Sequence, residues 1–503
     1  MTLMGLDIGT TGCKAQVIDE EGRRLGYAFR EYGVDTDPRG KAEQDAEAVW
    51  QAAVEVMRTA AAEAGASSIG ALSLSVQGDA VIPVDKAGKA LHPAILGMDY
   101  RSTVQSEQCS RILGERKLFD ITGMRPHPMN SLTKILLLRD IAPEVYRRSE
   151  KITTYADFIL GKLGAPGITD LTMASRTMAW DLDKREWSDD ILGALDVNPE
   201  LFSRAVPSGT AVGTLAPEVA AATGMSAKVI LAAGGHDQPC AALGSGVTGP
   251  GRGVVSTGTA EVFSCAFSEG AGRSELYEGY YPEYIYTLPD YHFTFSLNHI
   301  GGILLKWYRD NFCDAEVREA AEKGLSAYRL LDEGMPANPT NLYFLPHLNG
   351  SGTPWCDMDS RGALLGLTMN SSRHDVAKAI LESLTYELAL NLETMESAGL
   401  GIDEIIAVGG GASSAPWLRL KADILNRPIM VPENPEAGSL GAAILAGNAA
   451  GRWKASEAAP EIARVKNTIE PDGEQSRIYR NRLDTYRLIY PALEEVNKRI
   501  AHE

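Results

Sequence analysis

Near its start the chain reads Leu3-Met4-Gly5-Leu6-Asp7-Ile8-Gly9-Thr10-Thr11-Gly12, an apolar strand that runs into a small, hydroxyl-rich turn. A second strand follows. A turn of this kind leaves backbone N–H groups free for a phosphate, because glycine allows close backbone approach. Thr10 and Thr11 add hydroxyl donors, Lys14 adds a cation, and Asp7 is placed to orient a metal ion. The stretch predicts a phosphate site, with an ordinary tight hairpin as the alternative.

The composition is that of an ordinary soluble protein with room for two or three domains. The chain has 503 residues, of which 44% are hydrophobic and 23% are charged. Its formal net charge of −18 argues against nucleic acid as a partner, because such partners require clustered lysine and arginine. The sequence contains neither a run of about 20 apolar residues, as a membrane span requires, nor a signal peptide. The six cysteines form no CxxC pair, which is typical of reduced thiols in the cytoplasm.

Strands and helices alternate along the chain, which predicts an α/β fold. Strands are expected at 3–8, 13–18, 25–32, 69–76, 229–233 and 404–408, and helices at 46–64, 416–425, 439–447 and 476–500. The glycine-rich segment 244–253 is the expected boundary between domains 1–246 and 247–503. Beyond it, a strand, the turn Ser256-Thr257-Gly258-Thr259 and another strand repeat the opening pattern, which suggests an internal duplication.

Four glycine-flanked strand ends require a joint explanation: 7–12, 235–238, 257–259 and 409–414. Two opposed Thr-Gly hairpins are suited to hold a polyphosphate from both sides, and the triple glycine before a helix lets a nucleotide lie against the backbone. Asp237 is the carboxylate best placed to accept a proton from a hydroxyl during phosphoryl transfer. The sequence has no GxxxxGK[ST] motif and no protein-kinase signature.

Taken in order, these motifs resemble those of the FGGY carbohydrate kinases, members of the wider actin, Hsp70 and sugar-kinase ATPase superfamily. The resemblance covers essentially the full length. Its most specific part is Gly-Ala-Leu-Leu-Gly-Leu at 362–367, followed after seven residues by 375–382, which fits the family's C-terminal signature. The resemblance implies two ribonuclease-H-like (actin-like ATPase) domains with a catalytic cleft between them. The final helix is expected to pack back on the N-terminal domain.

The resemblance also assigns roles on the nucleotide side of the cleft. Asp237 matches the family's catalytic base, and Asp7 and Asp237 are the expected Mg²⁺ ligands. ATP is the expected phosphate donor. The residues expected to bind ATP or its phosphates are Gly9, Thr10, Thr11, Lys14, Thr257, Gly258, Thr259, Gly301, Gly302, Gly410, Gly411, Ala412 and Ser414.

The sugar side departs from the familiar patterns of the family. The residues expected to bind substrate are Gln77, Gly78, Asp79, Asp99, Arg101 and Gln238. Carboxylates and amides suit polyhydroxylated ligands, because each can bond two hydroxyls in fixed geometry. Glycerol kinases carry Gln-Arg-Glu and xylulokinases Gln-Met-His where this chain has Gln-Gly-Asp, and Gly97 stands where a tryptophan is common. A structural ion pair between Asp79 and Arg101 is the alternative for those two residues, and a packing or orienting role, rather than that of a second base, is expected for His236.

The sequence therefore predicts a cytoplasmic kinase that uses Mg-ATP to phosphorylate a hydroxyl of a small sugar or polyol, with a ketopentose such as xylulose or ribulose as the favoured substrate. A filament-forming or chaperone ATPase, a sugar-regulated ATPase and a catalytically weak sugar-binding regulator on the same fold are the alternatives. A homodimer is a family-level expectation only. The substrate itself and the carbon that is phosphorylated stay open.

Overall fold

The computed structural model describes residues 1–503 and contains one seven-stranded mixed sheet in each half of the chain. The predicted α/β class is confirmed. Local sequence signals predict several elements at their observed positions. The helix predicted at 46–64 begins after Asp45, whose carboxylate accepts hydrogen bonds from the N–H groups of Glu47 and Ala48. That helix ends at Gly65, a residue with positive φ.

The strands of the first half are β1 (Thr2–Ile8), β2 (Gly12–Ile18), β3 (Arg24–Glu31), β4 (Asp35–Thr36), β5 (Ala42–Gln44), β6 (Ile69–Val76), β7 (Ile82–Val84), β8 (Ala94–Ile95), β9 (Lys151–Thr153), β10 (Ile168–Asp170), β11 (Trp180–Asp181), β12 (Glu186–Trp187), β13 (Arg204–Val206), β14 (Ala211–Thr214), β15 (Ile230–Ala232) and β16 (Gly235–His236). Its helices are α1 (Ala46–Ala64), α2 (Thr103–Leu113), α3 (Glu115–Thr122), α4 (Ser131–Ile141), α5 (Pro143–Arg148), α6 (Tyr155–Leu163), α7 (Leu171–Arg176), α8 (Asp189–Ala194), α9 (Pro217–Thr223) and α10 (Asp237–Gly244).

The strands of the second half are β17 (Gly251–Thr257), β18 (Glu261–Ser268), β19 (Tyr284–Ile285), β20 (Tyr291–Asn298), β21 (Tyr343–Leu345), β22 (Ala363–Leu365), β23 (Ile402–Val408), β24 (Ile429–Pro432) and β25 (Val465–Ile469). Its helices are α11 (Arg273–Glu278), α12 (Gly302–Phe312), α13 (Asp314–Lys323), α14 (Ala327–Gly334), α15 (Arg373–Ser397), α16 (Ala415–Leu425), α17 (Ala437–Ala449), α18 (Ala455–Ile462), α19 (Gly473–Tyr486) and α20 (Ile489–His502).

The two large sheets share one topology. In the first, the order is β14-β15-β6-β1-β2-β3, with β16 as the seventh strand, parallel to β6 next to β15; β1 pairs antiparallel with β2 and parallel with β6. In the second, the order is β19-β20-β18-β17-β23-β24-β25, where β17 pairs antiparallel with β18 and parallel with β23. Each sheet thus carries a hairpin turn beside a parallel strand end, so the repeat seen in the sequence has the same strand arrangement in both halves.

Helix α17 belongs to the second half in sequence but packs on the first sheet, against β1, β2, β6 and β15. Glycines permit this close approach: a Cβ on Gly5 would lie 1.8 Å from the carbonyl oxygen of Ser439. The same helix also packs closely against α10. A Cβ on Gly441 would lie only 1.9 Å from the carbonyl oxygen of Cys240. Helix α17 therefore connects the sheet of the first half with the helix that begins at Asp237.

The last helix does not follow the expectation that it packs back on the N-terminal domain. Its side chains contact the segment 357–360 of the second half: Tyr490 donates a hydrogen bond to Asp357 at 2.9 Å, and Asn497 donates one to Ser360 at 3.4 Å. The helix that crosses to the first half is α17, because its small residues fit closely against the sheet. None of the helices combines the length and the apolar composition that crossing a bilayer requires.

Candidate active site

The turn between β1 and β2 presents unused backbone donors. The amide N–H groups of Thr10 and Thr11 make no hydrogen bond within the protein, whereas Gly9 donates to the carbonyl of Gly12 at 2.9 Å and closes the turn. The hydroxyl of Thr10 donates to Gln77 at 3.2 Å, and Thr11 is exposed. Two free amides on a glycine-flanked turn form the kind of concave donor set that binds phosphate.

Asp7 lies at the end of β1, beside this turn. Ser75 on the neighbouring strand β6 donates to its Oδ1 at 2.6 Å, and its Oδ2 lies 4.0 Å from the ammonium of Lys14. Burial raises the pKa of Asp7, and the hydrogen bond from Ser75 and the charge of Lys14 oppose that shift. No group of three or more metal-ligating side chains occurs in the structure. Mg²⁺ commonly takes one or two carboxylates and completes its shell with water and phosphate, so Asp7 fits such a role.

Lys14, expected to contact phosphate, is paired with the second half of the chain. Its Nζ lies 2.6 Å from Oε2 of Glu436, the residue that precedes α17. Tyr27 donates to the other oxygen of the same carboxylate at 3.1 Å. The ammonium therefore sits between Asp7 and Glu436, close to the phosphate turn but held by carboxylates on both sides.

Gln77, expected to bind substrate, uses both ends of its amide within the protein. Its Nε2 donates to the carbonyl of Gly9 at 3.2 Å and to Gln44 at 3.3 Å, while its Oε1 accepts from Thr10. Gln44 is fixed in turn by the hydroxyl of Tyr155 at 2.7 Å. In this arrangement Gln77 supports the turn between β1 and β2.

The turn between β17 and β18 offers two free amides. The N–H groups of Thr259 and Ala260 make no hydrogen bond within the protein, but that of Gly258 donates to the carbonyl of Ala260 at 2.9 Å. The N–H groups of Gly301 and Gly302 are also used, on the carbonyls of Thr259 and Gly258 at 2.7 and 2.8 Å. Both glycines thus dock the start of α12 onto this turn.

The hydroxyl of Thr257 also points into the protein. It donates to Oε2 of Glu261 at 2.6 Å, and the same oxygen lies 2.5 Å from Nζ of Lys421. Thr257, Glu261 and Lys421 are all buried. Because Lys421 belongs to α16, this ion pair joins the second phosphate turn to the helix that follows the triple glycine.

The triple glycine packs against the second turn. A Cβ on Gly411 would lie 2.7 Å from the side chain of Thr257, and Gly409 has φ of 80°. Gly410 is exposed and begins the short 3₁₀ turn 410–413, in which Ala412 is half-buried. Ser414 caps α16 by accepting from the N–H of Trp417, and its hydroxyl lies 3.3 Å from Asp332.

Asp237 is the first residue of α10 and lies where β16 ends. Its side chain is 35% exposed, and its Oδ1 lies 3.2 Å from Nε2 of His236. Burial in the cleft, together with the charge of Asp7, raises the pKa of Asp237 to about 7, and the nearby charge of Arg176 opposes the shift. A carboxylate with a pKa near neutrality is well matched to accepting a proton from a hydroxyl.

His236 holds its position through three contacts. Its backbone N–H donates to the hydroxyl of Thr172 at 2.7 Å, and its Nδ1 lies 3.3 Å from the hydroxyl of Tyr284. Burial lowers the pKa of His236 well below its usual value, so the ring is neutral. A neutral ring protonated at Nε2, the nitrogen that lies near Asp237, accepts from Tyr284 at Nδ1. The expected orienting role agrees with this geometry.

Asp79 pairs with Arg176 at the end of α7, and the alternative of an Asp79–Arg101 pair is wrong. Both side chains are buried, and Asp79 has φ of 64°, in the left-handed region. Arg101 instead donates to Asp99 and Glu43, each at 2.6 Å. Asp99 is fully buried and also accepts from the N–H of Ala42 at 2.8 Å, so its oxygens are used inside the protein.

The remaining two residues of the predicted sugar side lie beside Asp237. Gly78 faces His236, since a Cβ on this glycine would lie 2.6 Å from Nε2 of the imidazole. Gln238 is half-buried in the first turn of α10, and its side chain makes no hydrogen bond within the protein. Of the predicted residues, Gly78 thus lies against His236, which neighbours Asp237, whereas Arg101 forms ion pairs with both Asp99 and Glu43.

Sequence reasoning missed Arg176, Tyr284, Glu261 and Glu436. Each acts through a partner that is distant in sequence, and none lies in a glycine-flanked strand end. One sequence signal indicated that a distant cation was needed. The chain has no arginine or lysine directly after Gln77, so the carboxylate of Asp79 has no cation beside it in the sequence.

Known proteins share both the sequence motifs and the fold of this chain. Residues 2–244 match the N-terminal domain, and residues 254–450 the C-terminal domain, of the FGGY family of carbohydrate kinases. The chain is 27% identical over 498 residues to a xylulose kinase from Bacillus subtilis, covering 98% of each chain. It is 27% identical over 509 residues to a gluconokinase from the same organism, covering 99% of this chain and 97% of that protein. The crystal structure of a xyloylose kinase from Brucella ovis superposes with a TM-score of 0.88 at 28% identity, covering 99% of this chain and 100% of that one.

Proposed function

Because the chain belongs to the FGGY family of carbohydrate kinases, we propose that it transfers the γ-phosphoryl group of ATP to a hydroxyl of a ketopentose such as xylulose or ribulose. Relatives named as xylulose kinases at 27–29% identity support a ketose substrate, and the gluconokinase relative makes an aldonate the competing class. The observation that carries the proposal is the carboxylate of Asp237, which is 35% exposed and lies close enough to Asp7, beside the first turn, to feel its charge.

In the proposed reaction Asp237 acts as general base. The substrate hydroxyl oxygen forms a bond to the γ-phosphorus, the bond to the bridging β,γ-oxygen breaks, and ADP leaves. The hydroxyl proton passes to Asp237, whose pKa near neutrality keeps a sufficient fraction ionised at pH 7. His236 fixes the orientation of this carboxylate from one side.

The free amides at the two turns are the groups that favour a triphosphate here. Thr10 and Thr11 supply donors from the first half, and Thr259 supplies one from the second half. Mg²⁺, when bound with ATP, neutralises charge on the transferred group. Asp7 would hold it, and the hydrogen bond from Ser75 fixes Oδ1 of Asp7 while Oδ2 lies 4.0 Å from the ammonium of Lys14. Donors on both halves require the halves to close on the nucleotide, which excludes water.

The first test is ADP release with Mg-ATP across a panel of D- and L-ketoses, polyols and aldonates. We expect one ketopentose to be turned over, and Asp237→Asn to lower kcat by roughly 10²–10⁴-fold with little change in sugar binding. Asp85→Asn, at an aspartate that accepts hydrogen bonds in a surface turn, is the matched control. ATP hydrolysis without any phosphorylated sugar would instead support the sugar-regulated ATPase or regulator, and equal turnover in Asp237→Asn would remove this residue from its role.

A further inference from the structure

Strand β16, which leads into Asp237, is only two residues long and is held in part by a side chain. It pairs with β6, but the backbone N–H of His236 donates to the hydroxyl of Thr172, at 2.7 Å. A Cβ on Gly235 would lie 3.3 Å from the same hydroxyl oxygen, so glycine at this position leaves room for it. The backbone that leads into Asp237 therefore depends on one threonine of α7.

The hydroxyl of Thr172 has a fixed direction, because it donates to a buried carboxylate. Its oxygen lies 2.5 Å from Oδ1 of Asp170, which also accepts from the backbone N–H groups of Thr172 and Met173 at 2.9 and 3.1 Å. A hydroxyl has one proton to donate and two lone pairs with which to accept. Since the proton of Thr172 is used on Asp170, a lone pair is left for the N–H of His236.

The burial of Asp170 requires an explanation. Asp170 and Thr172 are fully buried, and Oδ2 of Asp170 has no hydrogen-bond partner. Burial raises the pKa of Asp170 to about 6, and the shift is opposed by hydrogen bonds and not by a cation. A neutral residue such as serine or asparagine would also cap α7. A charged acceptor makes a hydrogen bond about twice as strong as a neutral one, which favours a role in holding the hydroxyl of Thr172.

Helix α7, which carries Thr172, is also anchored at its far end. The hydroxyl of Ser175 accepts from the N–H of Ile285 in the second half of the chain, at 3.1 Å. The last residue of the helix, Arg176, pairs with Asp79. A helix of only six residues is thus fixed at both ends, so Thr172 offers β16 a firm support.

We propose that Thr172 is a positioning residue for phosphoryl transfer and that the buried carboxylate of Asp170 gives it this role. Asp170 fixes the hydroxyl of Thr172, and this hydroxyl holds the backbone of His236. That backbone in turn determines where the carboxylate of Asp237 lies. The inference rests on the proposed function, because it requires Asp237 to be the base. A displacement of reacting groups by about 1 Å can lower a rate by about 10²-fold, so the support of β16 affects the chemical step.

The test separates the hydroxyl of Thr172 from the size of its side chain. Thr172→Val keeps the size and removes the acceptor for the N–H of His236, whereas Thr172→Ser keeps the hydroxyl. We expect Thr172→Val to lower the single-turnover rate of phosphoryl transfer by about tenfold or more, with the KM for ATP and for the sugar unchanged. Thr172→Ser should stay within about threefold of the unmodified enzyme. Rapid-quench measurement of the phosphorylated sugar, well below the melting temperature of each variant, gives these rates.

Thr340 and Glu382 provide a matched control away from the site. The N–H and the hydroxyl of Thr340 both donate to the buried carboxylate of Glu382, at 3.3 and 2.9 Å, as those of Thr172 do to Asp170. Thr340→Val should therefore lower the melting temperature as Thr172→Val does, but leave the rate of phosphoryl transfer unchanged. If both variants kept the rate, or if both lost it equally, Thr172 would only stabilise the fold and the inference would be overturned.

Asp170→Asn supplies a second arm if Thr172→Val does not fold. An amide oxygen still accepts from Thr172 but carries no charge, so we expect the rate to fall by about three- to tenfold with both KM values unchanged. An unchanged rate in this variant overturns the inference and leaves the proposed function intact. Equal turnover in Asp237→Asn, or failure of the unmodified enzyme to phosphorylate any sugar in the panel, would instead count against the proposed function, and the inference would fall with it.

Discussion

At the scale of single residues, the site is shaped as much by a missing side chain as by those present. Gly78 follows the glutamine that supports the first phosphate turn, and it leaves space for the imidazole of His236. That imidazole is then close enough to Asp237 to orient its carboxylate. A larger residue at position 78 and a histidine at position 236 would compete for the same volume.

We therefore predict that Gly78→Ala lowers kcat by about tenfold or more, because the new methyl group must push His236 away from Asp237. Adding His236→Ala should cause little further loss, since the methyl group has already displaced the imidazole from Asp237. Steady-state kinetics with the preferred sugar measure both variants. Gly401→Ala is the control, because a Cβ there meets no atom within 4 Å. An active Gly78→Ala enzyme, or a double variant much slower than the single one, would contradict this account.

At the scale of elements, α17 has a larger role than its place in the sequence suggests. It forms part of the core that includes Leu3 and Ile18 of the first sheet, and it contacts α10 through small residues. The position of Asp237 at the start of α10 depends on this contact. A helix contributed by one half thus holds in place the helix of the other half that begins at Asp237.

Gly5→Ala tests this docking. A Cβ at this position would lie 1.8 Å from a backbone oxygen of α17, so helix and strand must move apart. We expect a loss of about 1–3 kcal/mol in the free energy of unfolding, measured by urea denaturation. Gly193→Ala, in the exposed helix α8 with no atom near its Cβ, should instead be neutral or stabilising by up to about 1 kcal/mol. Equal stability of the two variants would mean that α17 adjusts at little cost.

The sequence predicts where the helices and strands lie, but it does not predict which distant side chains pair with one another, and the reason is physical. The strand 69–76 and the helix 46–64 depend on local signals, namely apolar patterning and capping residues, and both were predicted with their observed bounds. The pairing of Arg176 with Asp79 joins residues 97 positions apart, and that of Lys14 with Glu436 joins residues 422 apart. Such contacts arise only when the sheets and helices assemble, so no local pattern encodes them.

At the scale of the whole molecule, the pair of Lys14 and Glu436 connects the two halves beside the phosphate turn. The side chains are 32% and 19% exposed, so the pair contributes at most about 1 kcal/mol to stability. Its position between Asp7 and α17 matters more than its strength. If the two halves close on a nucleotide, the ammonium of Lys14 has two possible partners, the carboxylate of Glu436 and a phosphate oxygen.

Two substitutions separate these roles. Lys14→Met should raise the KM for ATP by roughly tenfold or more, because a charge-assisted contact to phosphate is lost, with the KM for sugar unchanged. Glu436→Gln should leave the KM for ATP unchanged or lower it, because it releases the ammonium. Initial rates at varied ATP distinguish the two. An equal rise in both variants would show that the pair serves only to join the halves.

The crossing of α17 to the first sheet also has a consequence for how the protein is made. The first half ends near residue 246, but the helix that covers one face of its sheet begins at residue 437. At synthesis rates of about 5–20 residues per second, that face stays uncovered for roughly 10–40 seconds after the rest of the half has emerged from the ribosome, until α17 has been made. During this interval an apolar surface is exposed to the cell. The nascent chain is therefore a natural client for chaperones, and fragments that stop before α17 should aggregate when expressed.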